Sequence, residues 1–199
     1  MTRIEYVDPR AADAAPAIQR LLSTSSAAAG PGIAPPPSGA DFDALLLPQG
    51  GERLKATARQ LRQAGLDASQ VRLLGSGLWD DPATVGEPAL VGGWFAASPP
   101  DARAQFEAKF RATYGHAPPR LASLSFDAAA LAAVLAKNGG ADPFTTDAIL
   151  NPRGFAGVDG LFRFTPDGLV QRGLAVIEVG PQGNTVVSPA PSSFADLTY

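Results

Sequence analysis

The sequence predicts an α/β protein with a mostly parallel sheet flanked by helices. FDALLLP (42–48) and VRLLG (71–75) are short apolar runs of the kind shown by parallel strands covered on both faces. Between them, GGERLKATARQLRQAG repeats Leu54, Ala58 and Leu61 at helical spacing, which makes a βαβ unit with a right-handed crossover. Of the 199 residues, 45% are hydrophobic and 18% charged, enough apolar side chain to bury a core.

The elements follow in order. IEYV (4–7) reads as a first strand, and Ile18, Leu21 and Leu22 mark a helix with Pro16 in its first turn. AAAGPGIAPPPSGA (27–40) holds four prolines and three glycines, so a mobile loop is expected. After β-strand 42–48, the helix turns Arg53, Lys55, Arg59 and Arg62 away from its apolar face and ends at Gly65. ALVGGWFA (89–96) predicts a strand in which Gly92 and Gly93 mark a bulge or a close backbone approach. Ser98 is placed as the cap of the next helix, with Pro99 in its first turn. Phe106, Phe110 and Tyr114 then form one aromatic stripe assigned to the core, and Gly115 ends the helix. The helix at 121–138 is apolar nearly all round and calls for cover on two faces. FRF (162–164), a TPDG turn and LAVIEV (174–179) predict an antiparallel pair.

Composition excludes several functions. Nineteen acids against sixteen bases, without a basic cluster, leave no footprint for nucleic acid. AAALAAVLA (128–136) is far short of the ~20 apolar residues of a membrane span. The start, MTRIEYVDPR, lacks the apolar core of a signal peptide, and a strand so close to Met1 reads as a truncated beginning. Absence of cysteine removes disulfides, thiolate metal sites and cysteine nucleophiles. His116, the single histidine, sits in a Gly-His-Ala-Pro-Pro loop and reads as a surface residue. No GxSxG elbow supplies a serine for it. No catalytic residue, metal site or cofactor loop is predicted.

What remains is a place to bind. Gly50 and Gly51 leave amides free at a helix start, where an anion could dock, or they simply permit a tight turn. Trp79 follows a strand's carboxyl end, where open α/β sheets bind ligands, and core packing is the equal alternative. Asp80 and Asp81 diverge as neighbours. One caps a turn before Pro82, or one faces a cationic ligand group. Asp127, alone on its apolar helix, is assigned a polar partner.

The phrases FDALLLPQGG, VRLLGSGLWDDP, PALVGGWFAASPP, FEAKFRATYGHAPPRLASLSFDAAALAAVLA and GFAGVDGLFRFTPDGLVQRGLAVIEV, taken in order, carry a resemblance. Over roughly residues 42–180 they resemble the C-terminal half of type I periplasmic binding proteins, the leucine/isoleucine/valine-binding receptors. The wording of GLWDD, GGWFAA and FAGVDGLFRF is most similar to the branch of penicillin-binding protein activators. The resemblance implies an incomplete two-lobed fold. Residues 1–115 would form most of the second lobe, 116–140 a helix packed on an absent first lobe, and 141–199 the returning strands and tail. It also implies a periplasmic, non-enzymatic protein that binds an amino-acid-like or other small polar solute in a cleft and serves an ABC permease. The alternative is a regulator that touches a cell-wall synthase. Carried over by position, the resemblance puts Gln49, Gly50, Gly51, Ser76, Trp79 and Asp80 at the ligand.

Overall fold

The structure, a computed structural model, describes residues 4–8, 13–26, 40, 42–119 and 121–196. It comprises two compact units. One is Met1–Phe95 with Ile177–Thr185; the other is Ala96–Val176 with Val186–Tyr199. The proline-rich stretch expected at 27–40 lies almost wholly outside the described residues.

In the first unit, β1 (Ala44–Leu47), α2 (Gly51–Gln63) and β2 (Arg72–Gly75) form the expected βαβ unit, with α1 (Ala15–Ser26) preceding it. β1 pairs in parallel with β2, Ala44 opposite Arg72 through Leu47 opposite Gly75. β2 pairs in parallel with β3 (Trp94–Ala97). Helix α2 buries Leu54, Thr57, Ala58 and Leu61. It ends where Gly65, at φ 93°, lets the Leu66 amide reach back to Leu61 O at 3.0 Å. α1 lies against α2, burying Ala17, Ile18 and Leu21, and Gln60 Oε1 accepts from the Ala14 amide at 3.1 Å. Each fully buried leucine here contributes about 1.5–3 kcal/mol by leaving water.

Three expectations for this unit change. IEYV is not a strand: residues 4–8 have no regular structure and join neither sheet, although the Glu5 carboxylate accepts from Arg20 Nε at 3.0 Å. β1 is not covered on both faces. It is the sheet edge, with Leu46 58% exposed, because the five-stranded order is β1-β2-β3-β7-β8. The strand foreseen at 89–96 begins only at Trp94. Residues 89–93 turn instead, the Gly93 amide donating to Leu90 O at 2.8 Å.

The second unit contains α3 (Pro100–Tyr114), α4 (Ala122–Asn138), the short α5 (Thr146–Ile149) and a three-stranded antiparallel meander. Its strands are β4 (Phe155–Gly157), β5 (Gly160–Phe164) and β6 (Val170–Arg172). FRF therefore pairs across its TPDG turn with Val170–Arg172. LAVIEV becomes β7 (Ala175–Val179) of the larger sheet, followed by β8 (Asn184–Ser188). The three residues of β6 are too few and too polar to show a strand period.

Ser98 does not cap α3. Its hydroxyl donates to Asp159 Oδ1 at 2.7 Å, and Ser123 donates to Asp159 Oδ2 at 2.6 Å. Asp127 has the polar partner expected of it, accepting from the Val158 amide at 2.8 Å. Ser98, Ser123, Asp127 and Asp159 are all buried, as groups satisfied in this way can be. Of the aromatic stripe, Phe106 is buried, Phe110 half-buried and Tyr114 exposed, so only its first member belongs to the core. Gly115 closes α3 at φ 76°, as its position in the sequence foretold. α4 stays largely uncovered, with Ser123 and Asp127 its buried residues.

Candidate functional site

β1 and β2 run parallel and side by side, so the loops that follow them emerge at the same end of the sheet. The first is Gln49–Gly51 and the second Ser76–Asp80. They touch. A Cβ placed on Gly50 would sit 3.0 Å from Leu78 O and 3.1 Å from Leu78 Cβ, so any side chain there would push the second loop away by a few tenths of an ångström. Gly51 opens α2 at φ 59°, a conformation that glycine adopts freely, with nothing within 4 Å of where its Cβ would be. The start of α2 is thus open on this side. Gln49 is held from behind, the Thr57 hydroxyl donating to its Oε1 at 2.8 Å.

The second loop is a tight 3₁₀ turn, Gly77–Trp79, whose Ser76 Oγ accepts from the Leu78 amide at 3.4 Å. Trp79 lies inside it and under it. The indole is 0% exposed, its Nε1 donates to Leu47 O at 3.1 Å, and its ring stands 6.2 Å from Phe95. A Cβ on Gly75 would fall 2.2 Å from this ring, and one on Gly93 2.8 Å. Of the two readings open for Trp79, packing is the one realised. It cannot lay a face on a solute, because no part of it reaches the surface; it fastens the second loop to the end of β1. Beyond it, the Thr84 hydroxyl lies 2.6 Å from Trp79 O. Asp81 caps the next turn, accepting from the Ala83 amide at 2.8 Å. That leaves Asp80, half-buried, as the carboxylate on this lip, and it too has an interaction partner.

Two features escaped sequence reasoning. Leu78 is the exposed apolar member of the lip, invisible in a run that reads Gly-Leu-Trp. Glu87 is buried and bonded to Arg59, Arg59 Nε donating to Oε1 at 3.1 Å, which ties the 82–90 segment to α2. The guanidinium holds the Glu87 carboxyl below its usual range against the opposing effect of burial, and the carboxylate raises Arg59 in turn. A salt bridge between residues 28 apart has no local sequence signal.

Chemically, the lip offers helix-start amides, a hydroxyl, a carboxylate and one apolar side chain. It holds no nucleophile paired with a base. His116 is exposed on the second unit, its Nδ1 2.9 Å from Ala117 O. Among the described residues no three of His, Asp or Glu are grouped to hold a metal ion, and no helix is long and apolar enough to cross a membrane. A separate solvent-open hollow of about 450 Å³ lies at the β7–β8 turn, lined by Glu178, Gly180–Gly183, Asn184 and Thr185. It shares no residue with the lip.

Similar solved structures carry the same fold. A branched-chain amino acid ABC transporter periplasmic ligand-binding protein of Burkholderia xenovorans is 18% identical, with TM-score 0.62 over 92% of this chain and 49% of that one. An R. palustris ABC transporter solute binding protein in complex with benzoate is 17% identical, with TM-score 0.56 over 95% of this chain and 51% of that one. Haemophilus influenzae LpoA is 12% identical, with TM-score 0.51 over 73% of this chain and 26% of that one. The chain spans about half the length of the first two. No curated protein matches it. The family model described as "Periplasmic binding protein" matches residues 5–184, nearly the whole chain. The parallel β1–β2–β3 arrangement and the family match agree: this chain belongs to the periplasmic binding protein family, with the type I fold.

Proposed function

We propose that the chain is a non-enzymatic, periplasmic solute-binding module, and that Gln49–Gly51 and Ser76–Asp80 form one wall of its solute site. The observation that carries this reading is the meeting of the two loops, Gly50 against Leu78, at the carboxyl ends of adjacent parallel strands. In this reading the Gly50 and Gly51 amides and Ser76 Oγ hydrogen-bond an anionic or polar group. Asp80 pairs with a cationic group, and Leu78 covers apolar surface. Trp79 acts from beneath by holding the second loop. The solute class is an amino acid or a similar small polar molecule delivered to an ABC permease.

Thermal denaturation of the chain with leucine, isoleucine or benzoate tests it. Leucine or isoleucine raises the melting temperature, and Asp80→Ala removes that rise while leaving any rise with benzoate, which has no ammonium group. If none of the three moves the melting temperature, or Asp80→Ala leaves the leucine effect intact, the assignment is wrong.

A second reading has its own support. The likeness to LpoA and the resemblance to penicillin-binding protein activators favour a regulator that contacts a cell-wall synthase. Capture of a purified synthase in the absence of any solute, with no melting shift by the three solutes, would favour it.

A further inference from the structure

Helix α4 buries two side chains, and both are polar: Ser123 and Asp127, 3% and 4% exposed. Leu131 and Leu135 continue the same stripe at four-residue spacing and are half-buried. Val134, turned to the same side, is 52% exposed. Phe126 reaches Phe106 of α3, ring centres 5.3 Å apart, yet is also 52% exposed. A helix fixed by apolar packing shows the reverse, its hydrophobic stripe inside and its polar residues out.

We propose that a buried clasp of two carboxylates, Asp127 and Asp159, holds α4 in place. Opening this clasp frees the helix and the β4–β5 turn together while the first unit stays folded. Each carboxylate grips the segment that carries the other. Asp127 reaches from α4 to the turn, accepting from the Val158 amide at 2.8 Å, with the Asp159 amide 3.5 Å from its second oxygen. Asp159 reaches from the turn to α4, accepting from the Ser123 hydroxyl at 2.6 Å. Its other oxygen accepts at 2.7 Å from Ser98, which lies between β3 and α3. These distances are those of hydroxyls donating to a carboxylate. Gly157 makes the fit possible, because a Cβ there would fall inside contact distance of Asp127 Oδ2. In a dry site, a donor or acceptor that loses its partner costs more than the bond contributed, so removing one member loosens the rest. Without the clasp, the helix keeps one aromatic contact and two half-buried leucines, which makes it a unit of local opening. The clasp lies within the second unit and uses no residue of the solute lip, so either proposal can fail without the other.

Native-state hydrogen exchange read by mass spectrometry tests this. Ser98→Ala and Asp127→Ala quicken exchange in residues 122–138 and 155–160 together, by about ten- to a hundredfold. Both leave β1, α2 and β2 of the first unit at the parent's rates. Ser98 lies on neither α4 nor the turn, so its loss reaches them only through Asp159. Its substitution removes one hydroxyl and no apolar packing, so it carries the test even where Asp127→Ala fails to fold. Gly157→Ala, which displaces the Asp127 carboxylate, acts in the same direction. Phe126→Ala removes the aromatic contact and spares the clasp, so it quickens α4 less than Ser98→Ala does. Parent-like exchange of α4 in Ser98→Ala overturns the proposal. So does quickening confined to α4 or to the turn, quickening spread equally over both units, or a larger effect from Phe126→Ala.

Discussion

Gly75 and Gly93 are glycines because of Trp79. Their Cα atoms floor the slot that holds the indole, and a methyl group at Gly75 would enter the ring itself. Gly75→Ala should therefore overpack the site and cost about 1–3 kcal/mol in urea unfolding, at the upper end because backbone and ring are both confined. Trp79→Ala should cost about 3–5 kcal/mol, since a fully buried indole and its bond to Leu47 O are both lost. The two costs should not add. Once the ring is gone the alanine methyl has room, so the double variant should be about as stable as Trp79→Ala alone; full additivity would show that the slot is not shared. Sequence reasoning brought Trp79 to the right loop, because an indole after a strand end is conspicuous. It could not tell inward from outward, since direction depends on the absence of a side chain at position 93, eighteen residues from Gly75. A cap by one of the two aspartates was open to sequence reasoning for the opposite reason: the partner of Asp81, the Ala83 amide, is two residues away, although the sequence left open which of the pair would take it.

At the scale of elements, the βαβ unit was legible because its signals are local. Helical spacing of Leu54, Ala58 and Leu61 and the Gly65 terminator need no distant partner. Strand partnership was less so. The antiparallel pairing of FRF with LAVIEV failed since a three-residue strand intervenes, and β7 instead takes a place beside β3, about eighty residues earlier in the chain. The link from α2 to the segment after the lip is equally non-local and makes a distinct prediction. Glu87 has a carboxyl held below its usual range by Arg59, so the folded state binds this proton less readily than the unfolded chain. Its contribution is present above the ordinary glutamate range and is lost as pH falls through the lowered folded value. Glu87→Gln should thus be less stable than the parent at neutral pH and lose less stability on acidification, the two curves converging below the lowered folded value, where both states of the parent carry the proton. Curves that stay parallel throughout acidification would show that the salt bridge is not coupled to folding.

For the whole molecule, the larger sheet depends on a strand that returns from far along the chain. In the order β1-β2-β3-β7-β8, β7 lies beside β3, about eighty residues after it. The Val179 amide donates to Gly93 O and Val179 O accepts from the Gly92 amide, both at 2.9 Å, so the end of β7 is tied to the turn that leaves room for the Trp79 ring. Ile177, in the middle of β7, is 3% exposed. Ile177→Ala should therefore cost about 2–5 kcal/mol in urea unfolding, as a buried branched side chain does when it leaves a cavity. Because the returning strand closes the sheet beside β3, amide hydrogen exchange in β2 and β3 should quicken along with that in β7. A variant as stable as the parent, or one in which only β7 exchanges faster, would show that the sheet holds without its returning strand.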